Sequence, residues 1–455
     1  MSVSTFILKA EADTNSKFLH LKSNQKTTLL RSYLEKTEHY LQNHLIPFWA
    51  DRLVDKQFGG FQTNYDRNGN RTAVTEKSFL AQGRSIFTIS HAIRCGYDWP
   101  NYEQTLTLGI EFLFKHYRDF EYDGYYWIVD EDGTVLDDNK VIYGHAFLIY
   151  GLSEYALLSG SEKAKTEAIR LFDLLQEQIK DNEYGGYFEH YNRTFEPIKA
   201  RNDIGIFKSL DVHMHLMEAF TTLVELTGDN AHKKALEEIN QLIFDKMIHP
   251  ETGTGISMFT QDWAPIANVE LDTVWGADRF DENGKTTSIT SYGHNIEFAW
   301  LYLLSQDALG KPRKNSVMEM SKIYEHTYYN GIDWANGGLY VEGERDGNVT
   351  ETNKEFWQQA EGMVGFLDAY LLTKDEKYLD AFINIHDFVF TKMINWNVGE
   401  WFALLDEKGT VTWDYMGTNW KTLYHTVRGM CESANRLKRI IKKSDSTPLE
   451  TIATS

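Results

Sequence analysis

QFGGFQTNYDRNGN, residues 57–70, places a glycine pair before aromatics that alternate with other residues and ends on Asp and Asn with Gly, which reads as a short β-hairpin. The stretch recurs as EYDGYYWIVDEDGT from 121, EYGGYFEHYNRT from 183, TGTGISMFTQD from 252, ANGGLYVEGERDGN from 335 and NVGEWFALLDEKGT from 397. Gly60, Gly124, Gly186, Gly255, Gly338 and Gly399 mark the copies, with steps of 64, 62, 69, 83 and 61 residues. Six repeats therefore fill the chain.

Between hairpins the periodicity turns helical, with two segments per repeat. One kind is amphipathic and charged: residues 164–181 carry seven charges and residues 231–248 carry six. The other is almost uncharged: in VIYGHAFLIYGLSEYALLSG, residues 141–160, Glu154 is the only charge. A helix that is apolar most of the way round is buried, and one with a charged stripe faces water. The pattern predicts an all-α fold, an (α/α)6 barrel of six inner and six outer helices with short β-hairpins at one mouth. An open solenoid is the alternative, but it would expose its terminal repeats. The expected organisation is a flexible segment over 1–25, one barrel domain over 26–443 and a flexible tail over 444–455. The 83-residue step implies an insertion at 268–287, read as a binding loop or lid.

Composition narrows the partners. A formal charge of −20 argues against nucleic acid or an anionic membrane surface, both of which reward clustered Lys and Arg. Aromatic residues make up 14% of the chain, which suits either a core or a sugar-stacking cleft. Cys95 and Cys431, far apart and unaccompanied, read as buried small hydrophobes compatible with a reducing compartment. The first residues lack a signal-peptide core and no stretch is long enough to span a bilayer, so a cytoplasmic monomer or homodimer is expected.

The unexpected polar residues of the inner helices all follow their hairpins. They are Arg84 in the first, Tyr143 and His145 in the second, Asp211, His213 and His215 in the third. His294 and Glu297 open the fourth, Trp357, Gln359 and Glu361 the fifth, His425 and Arg428 the sixth. Parallel inner helices would bring these turns to one cup. Zinc is disfavoured there, because His213 and His215 diverge by about 200° on a helix and H-x-x-E lacks the second histidine of a zincin. No G-x-S-x-G nucleophile elbow occurs. A glycosidase pair, Glu297 with Glu361, would leave the histidines and arginines unexplained. Histidines as acid and base, with an arginine for a developing oxyanion, fit proton abstraction beside a carbonyl.

SYGHNIEFAWLYLL, KSLDVHMHLMEAFTTL, EFWQQAEGMVGFLDAY, YGHAFLIYGLSEYA and NWKTLYHTVRGM resemble the N-acylglucosamine 2-epimerase superfamily, most closely its cellobiose and mannose 2-epimerase branch. The similarity covers about 40 to 440. It implies an (α/α)6 barrel and a cofactor-free, metal-free exchange of the C2 proton of an opened sugar through a cis-enediolate. By resemblance His294 and His425 are the acid/base pair, Arg84 stabilises the enediolate oxygen and His215 assists ring opening or holds O1. Glu297 orients His294 or binds a hydroxyl, while Tyr143, Asp211, Trp357, Glu361, Trp420 and Arg428 hold the sugar.

Three departures shape the expected substrate: Asp211 where cellobiose 2-epimerases have Asn, Phe356 where they commonly pair a second Trp with the one matching Trp357, and the 268–287 insertion. They favour free mannose and glucose as the pair interconverted. Cellobiose 2-epimerisation, aldose–ketose isomerisation, a hydrolase of the same architecture and a non-catalytic sugar-binding toroid are the alternatives.

Overall fold

The computed structural model describes residue 18 and residues 21–200, 204–267, 269 and 286–445. Six inner helices, Phe79–Arg94, Ile142–Ser159, Leu210–Thr227, Tyr292–Ala308, Phe356–Thr373 and Leu423–Asp445, each pack against the next. The sixth packs back on the first, so the ring is closed and the solenoid reading fails. Outside them stand Ser23–Tyr40, Tyr102–His116, Glu162–Leu174, Asn230–Leu242, Val317–His326 and Lys377–Phe388. The first outer helix begins inside the segment expected to be flexible, and the backbone N–H of Phe18 before it donates to Asp380 at 2.8 Å. The insertion expected at 268–287 lies, apart from residues 269, 286 and 287, outside the described residues.

Apolar pattern explains the layers. The second inner helix is buried continuously from Ile142 to Glu154, because Ala, Leu, Ile and Phe fill its whole circumference. The first and second inner helices cross so closely that a Cβ at Gly151 would sit 2.7 Å from the Gly83 carbonyl oxygen. No helix among the described residues is long and apolar enough to cross a membrane.

Each hairpin is pinned to the barrel by one repeated device. An isolated bridge closes its neck: Val54 with Phe61, Arg118 with Tyr125, Lys180 with Tyr187, Ile248 with Gly255, Ile332 with Leu339, Ile394 with Trp401. In four repeats an aspartate caps the turn by accepting two backbone N–H groups, as Asp55 does from Gln57 and Phe58. It also pairs with a buried lysine just before the next inner helix. The pairs are Lys77–Asp55 at 3.0 Å, Lys140–Asp119 at 2.9 Å, Lys208–Asp181 at 2.7 Å and Lys354–Asp333 at 2.9 Å. Thr290 holds the lysine position in the fourth repeat, and Lys421 pairs with Glu400 at 3.4 Å in the sixth.

Five residues beyond that lysine position, a side chain on the inner helix accepts a hairpin N–H. Gln82 takes that of Phe61 (2.8 Å), His145 that of Tyr125 (3.1 Å), His213 that of Tyr187 (2.9 Å), Asn295 that of Gly255 (2.8 Å) and Gln359 that of Leu339 (2.7 Å). The strands before the inner helices pair with the following hairpins, giving small antiparallel sheets around one mouth. The collar closes where the Tyr65 N–H donates to the Gly417 carbonyl at 2.9 Å.

The two cysteines correct the sequence reading. Ring closure brings Cys95, half-buried at the end of the first inner helix, against buried Cys431 in the sixth.

Candidate active site

Counting from the lysine position gives the register of the cup. Residues three, four and seven places on share one helix face, and they include nearly every side chain expected at the site. The seventh place carries Arg84, Phe147, His215, Glu297, Glu361 and Arg428. Above that layer stand Tyr143, Asp211, Trp357 and Tyr424 at the third place and His294 and His425 at the fourth.

The upper side chains form a connected wall. Arg84 donates from Nη2 to the Tyr143 hydroxyl at 2.8 Å and from Nη1 to the Trp420 carbonyl at 3.0 Å. Its Nε, buried, has no hydrogen-bond partner among the described residues. The Tyr143 ring meets the edge of His215 at 5.0 Å between centroids. Asp211 Oδ1 lies 3.3 Å from His215 Nε2 and 3.6 Å from His294 Nε2, so one carboxylate serves two imidazoles. His294 and His425 both pack on Trp357, with centroids 4.7 and 5.6 Å away. Ser291 caps the fourth helix by accepting the His294 N–H at 3.2 Å, which fixes that histidine in the first turn.

Below the wall lies a buried ion cluster. The guanidinium of Arg428 donates from Nη2 to Glu297 and to Glu361, both at 2.7 Å, and from Nη1 to Glu218 and the Tyr424 hydroxyl. Glu361 also accepts from Trp300 Nε1 at 3.0 Å and faces His425 Nδ1 at 2.7 Å. Glu218 faces His215 Nδ1 at 2.9 Å. Glu361 and Arg428, expected among the sugar contacts, are 0% and 1% exposed and bond to each other and to the histidine supports. Glu297, expected to orient His294 or to bind a hydroxyl, is held at Oε1 by Arg428, and its buried Oε2 has no hydrogen-bond partner among the described residues.

The field differs sharply between these groups. Burial pushes the His425 imidazole down to about 3, against the pull of Glu361. Its Nδ1 proton points at a carboxylate, so Nε2 carries the free lone pair of a base. Burial also pushes His215 down, but hydrogen bonds with Asp211 and Glu218 outweigh it and raise the group to about 9. Glu297 is raised to about 8 by burial and by Glu361 beside it. Burial raises Glu361 too, yet Arg428 overrides it and leaves that carboxyl ionised, at about 2.

Glu297, Glu361 and His425 offer ligand atoms within 4.8 Å of one another, the spacing of a metal site. Arg428 Nη2 already holds both carboxylates, so a cation is built into the protein there. His145 and His213, grouped with the site from sequence, belong to the collar: each directs Nδ1 to the carbonyl four residues back and Nε2 to a hairpin N–H. Glu218, Tyr424 and Trp300 are the supports that sequence reasoning missed. Glu218 was visible as a lone charge in an apolar run one turn after His215.

Residues 59–429 match the model of the N-acylglucosamine 2-epimerase (GlcNAc 2-epimerase) family. A cellobiose 2-epimerase of Ruminococcus albus is 30% identical over 403 residues, covering 86% of this chain and 95% of that one. The structure of a cellobiose 2-epimerase from Bacillus thermoamylovorans B4167 matches with a TM-score of 0.79 at 27% identity, over 89% of this chain and all of that one. A D-mannose isomerase of Marinomonas mediterranea is 24% identical over 409 residues, 89% of this chain and 95% of that one.

Proposed function

The chain belongs to the N-acylglucosamine 2-epimerase family, and from that premise we propose that it interconverts D-mannose and D-glucose by removing and returning the C2 proton of the opened sugar. The observation that carries this reading is the pair His294 and His425, on the fourth and sixth inner helices, both packed on Trp357 at the cup's mouth. Neutral His425 takes the C2 proton from one face through Nε2. The electron pair left at C2 moves into the C1–C2 bond and the C1 carbonyl oxygen becomes an enediolate oxygen. Arg84, whose Nε has no hydrogen-bond partner among the described residues, is a donor for that oxygen. His294, which has to enter this turnover protonated, gives its proton to C2 from the opposite face, the proton on His425 leaves to solvent before the next turnover, and the product differs only in C2 configuration.

The remaining groups set this up. His215, held as an imidazolium by Glu218 at Nδ1 and Asp211 at Nε2, donates from Nε2 to the ring or carbonyl oxygen during opening, the sugar oxygen taking the place of the 3.3 Å Asp211 contact. Tyr143, Trp357, Trp420 and Asp211 face the sugar, while Glu361 and Arg428 position His425 from beneath. Preference for one sugar ring rests on Phe356, which stands where a second Trp would stack. It is 6% exposed and covered by His425 and Lys421, so it offers no platform.

Cellobiose 2-epimerisation is the second reading, favoured by the 30% identity to the Ruminococcus albus enzyme. Product analysis from mannose in heavy water tests both. Glucose labelled at C2 supports the proposal, and fructose as sole product overturns it in favour of aldose–ketose isomerisation. Cellobiose in the same assay decides ring number: a glucosyl-mannose product formed more efficiently than glucose from mannose would make the second reading the right one.

A further inference from the structure

The first and sixth inner helices also meet at the end of the barrel away from the cup. There they bring together His91 and Cys95, one turn apart on the first helix and at its C-cap, with Glu432 on the sixth. His91 Nε2 lies 2.8 Å from Glu432 Oε1 and 3.4 Å from Cys95 Sγ, and the ligand atoms of all three lie within 4.8 Å of one another. His91 is seven residues past Arg84, about 10 Å along the helix at the usual rise. None of the three was assigned a part in the cup.

Each group is held from behind, leaving one atom to converge. His91 Nδ1 lies 2.9 Å from Glu154 Oε1, and Glu154 Oε2 accepts from Arg94 at 2.6 Å. Glu432 Oε2 is taken by Arg436. Asn435 Nδ2 donates to Cys95 Sγ at 3.3 Å, a contact that favours thiolate. Such outer partners are what set the tautomer and direction of metal-binding histidines and carboxylates. A cavity of about 350 Å³ borders His91, Cys95 and Glu432 and gives an entry path.

We propose that His91 Nε2, Cys95 Sγ and Glu432 Oε1 bind a divalent, thiolate-accepting cation, Zn²⁺ by chemistry, with water from the cavity as fourth ligand. One imidazole, one thiolate and one carboxylate make a donor set that zinc accepts with tetrahedral geometry. The cation replaces the thiol proton and any proton on Nε2, and both leave to solvent. Unlike the Glu297, Glu361 and His425 set, this one has no guanidinium bridging its ligand atoms among the described residues: Arg94 and Arg436 hold the far oxygens of Glu154 and Glu432. The bound ion would clamp the seam where the ring closes.

The test uses the full chain, stripped with EDTA, kept reduced with a non-thiol reductant and titrated with Co²⁺. One equivalent per chain, with a thiolate-to-cobalt charge-transfer band that Zn²⁺ bleaches, is expected. Cys95→Ser removes the band, Cys431→Ser keeps it, and Glu154→Gln weakens binding about 10- to 100-fold. Zn²⁺ raises the melting temperature of the wild type and not of Cys95→Ser, whose metal-free melting temperature reports that it folds. No stoichiometric cobalt binding, or a band that survives Cys95→Ser, overturns the proposal.

Discussion

Glu361 lies 2.7 Å from the Nδ1 of His425 through the same oxygen that accepts from Arg428 at 2.7 Å. An ionised carboxylate can only accept, so it fixes the proton on Nδ1 and keeps Nε2 basic. In Glu361→Gln the amide can offer N–H to Nδ1 and favour the opposite tautomer. kcat should fall by about 10²- to 10⁴-fold with KM for mannose little changed, as for a wrong-tautomer histidine base. A comparable loss appearing in KM instead would make Glu361 a sugar contact.

Two bases on opposite faces predict an asymmetry between single variants. His294→Ala and His425→Ala should each lose epimerisation by about 10²-fold or more while still binding sugar by calorimetry. Each variant keeps the base for one epimer, so each should still exchange the C2 hydrogen of that epimer, and only that one, with solvent deuterium. Exchange of the same epimer by both variants would mean that a single base serves both faces.

The repeat was legible because glycine-rich hairpins have strong local grammar, and the two helix classes follow from charge pattern alone. Which polar residue faces the cup was not, since periodicity gives a helix face without saying what lies opposite. His145 and His213 share helix and turn with Tyr143 and Asp211 yet point to the collar. The register was in the sequence nonetheless: Lys77, Lys140, Lys208 and Lys354 mark it, and each residue five places on accepts an N–H of its hairpin. Arg428 and Glu361 escaped for another reason. A buried ion cluster and a sugar-binding cluster use the same residue types, and only burial separates them. Cys95 and Glu432 lie 337 residues apart and become neighbours only when the ring closes.

That register makes a substitution test within the molecule. Gln82 and Gln359 do in the first and fifth repeats what His145 does in the second, so His145→Gln should keep the fold and nearly all activity. Burial holds His145 at about 4, so below its ordinary value near 6.5 the unfolded chain binds a proton that the folded chain refuses. Stability is therefore lost as pH falls from 6.5 towards 4, by about 2 kcal/mol at pH 5 from this group. Urea unfolding at pH 7 and pH 5 should show a smaller acid loss in His145→Gln than in wild type. Inactivation at pH 7 by this change would place the histidine in the chemistry instead.

Asp211 predicts the opposite pH behaviour through His215. Its hydrogen bond is a main reason that His215 stands near 9 rather than near 6.5, despite burial. A group raised on folding contributes stability that is complete below its unfolded value and is lost as pH rises through the folded one. Asp211→Asn removes the charge from between His215 and His294, so the His215 value should fall and part of that stability should go. The wild type should therefore exceed the variant most at pH 6, and the two should converge above pH 9. The His215 ring proton, followed by NMR across that range, should titrate at a lower pH in the variant. An unchanged titration would show that Glu218 alone holds the imidazolium, leaving Asp211 to act on His294.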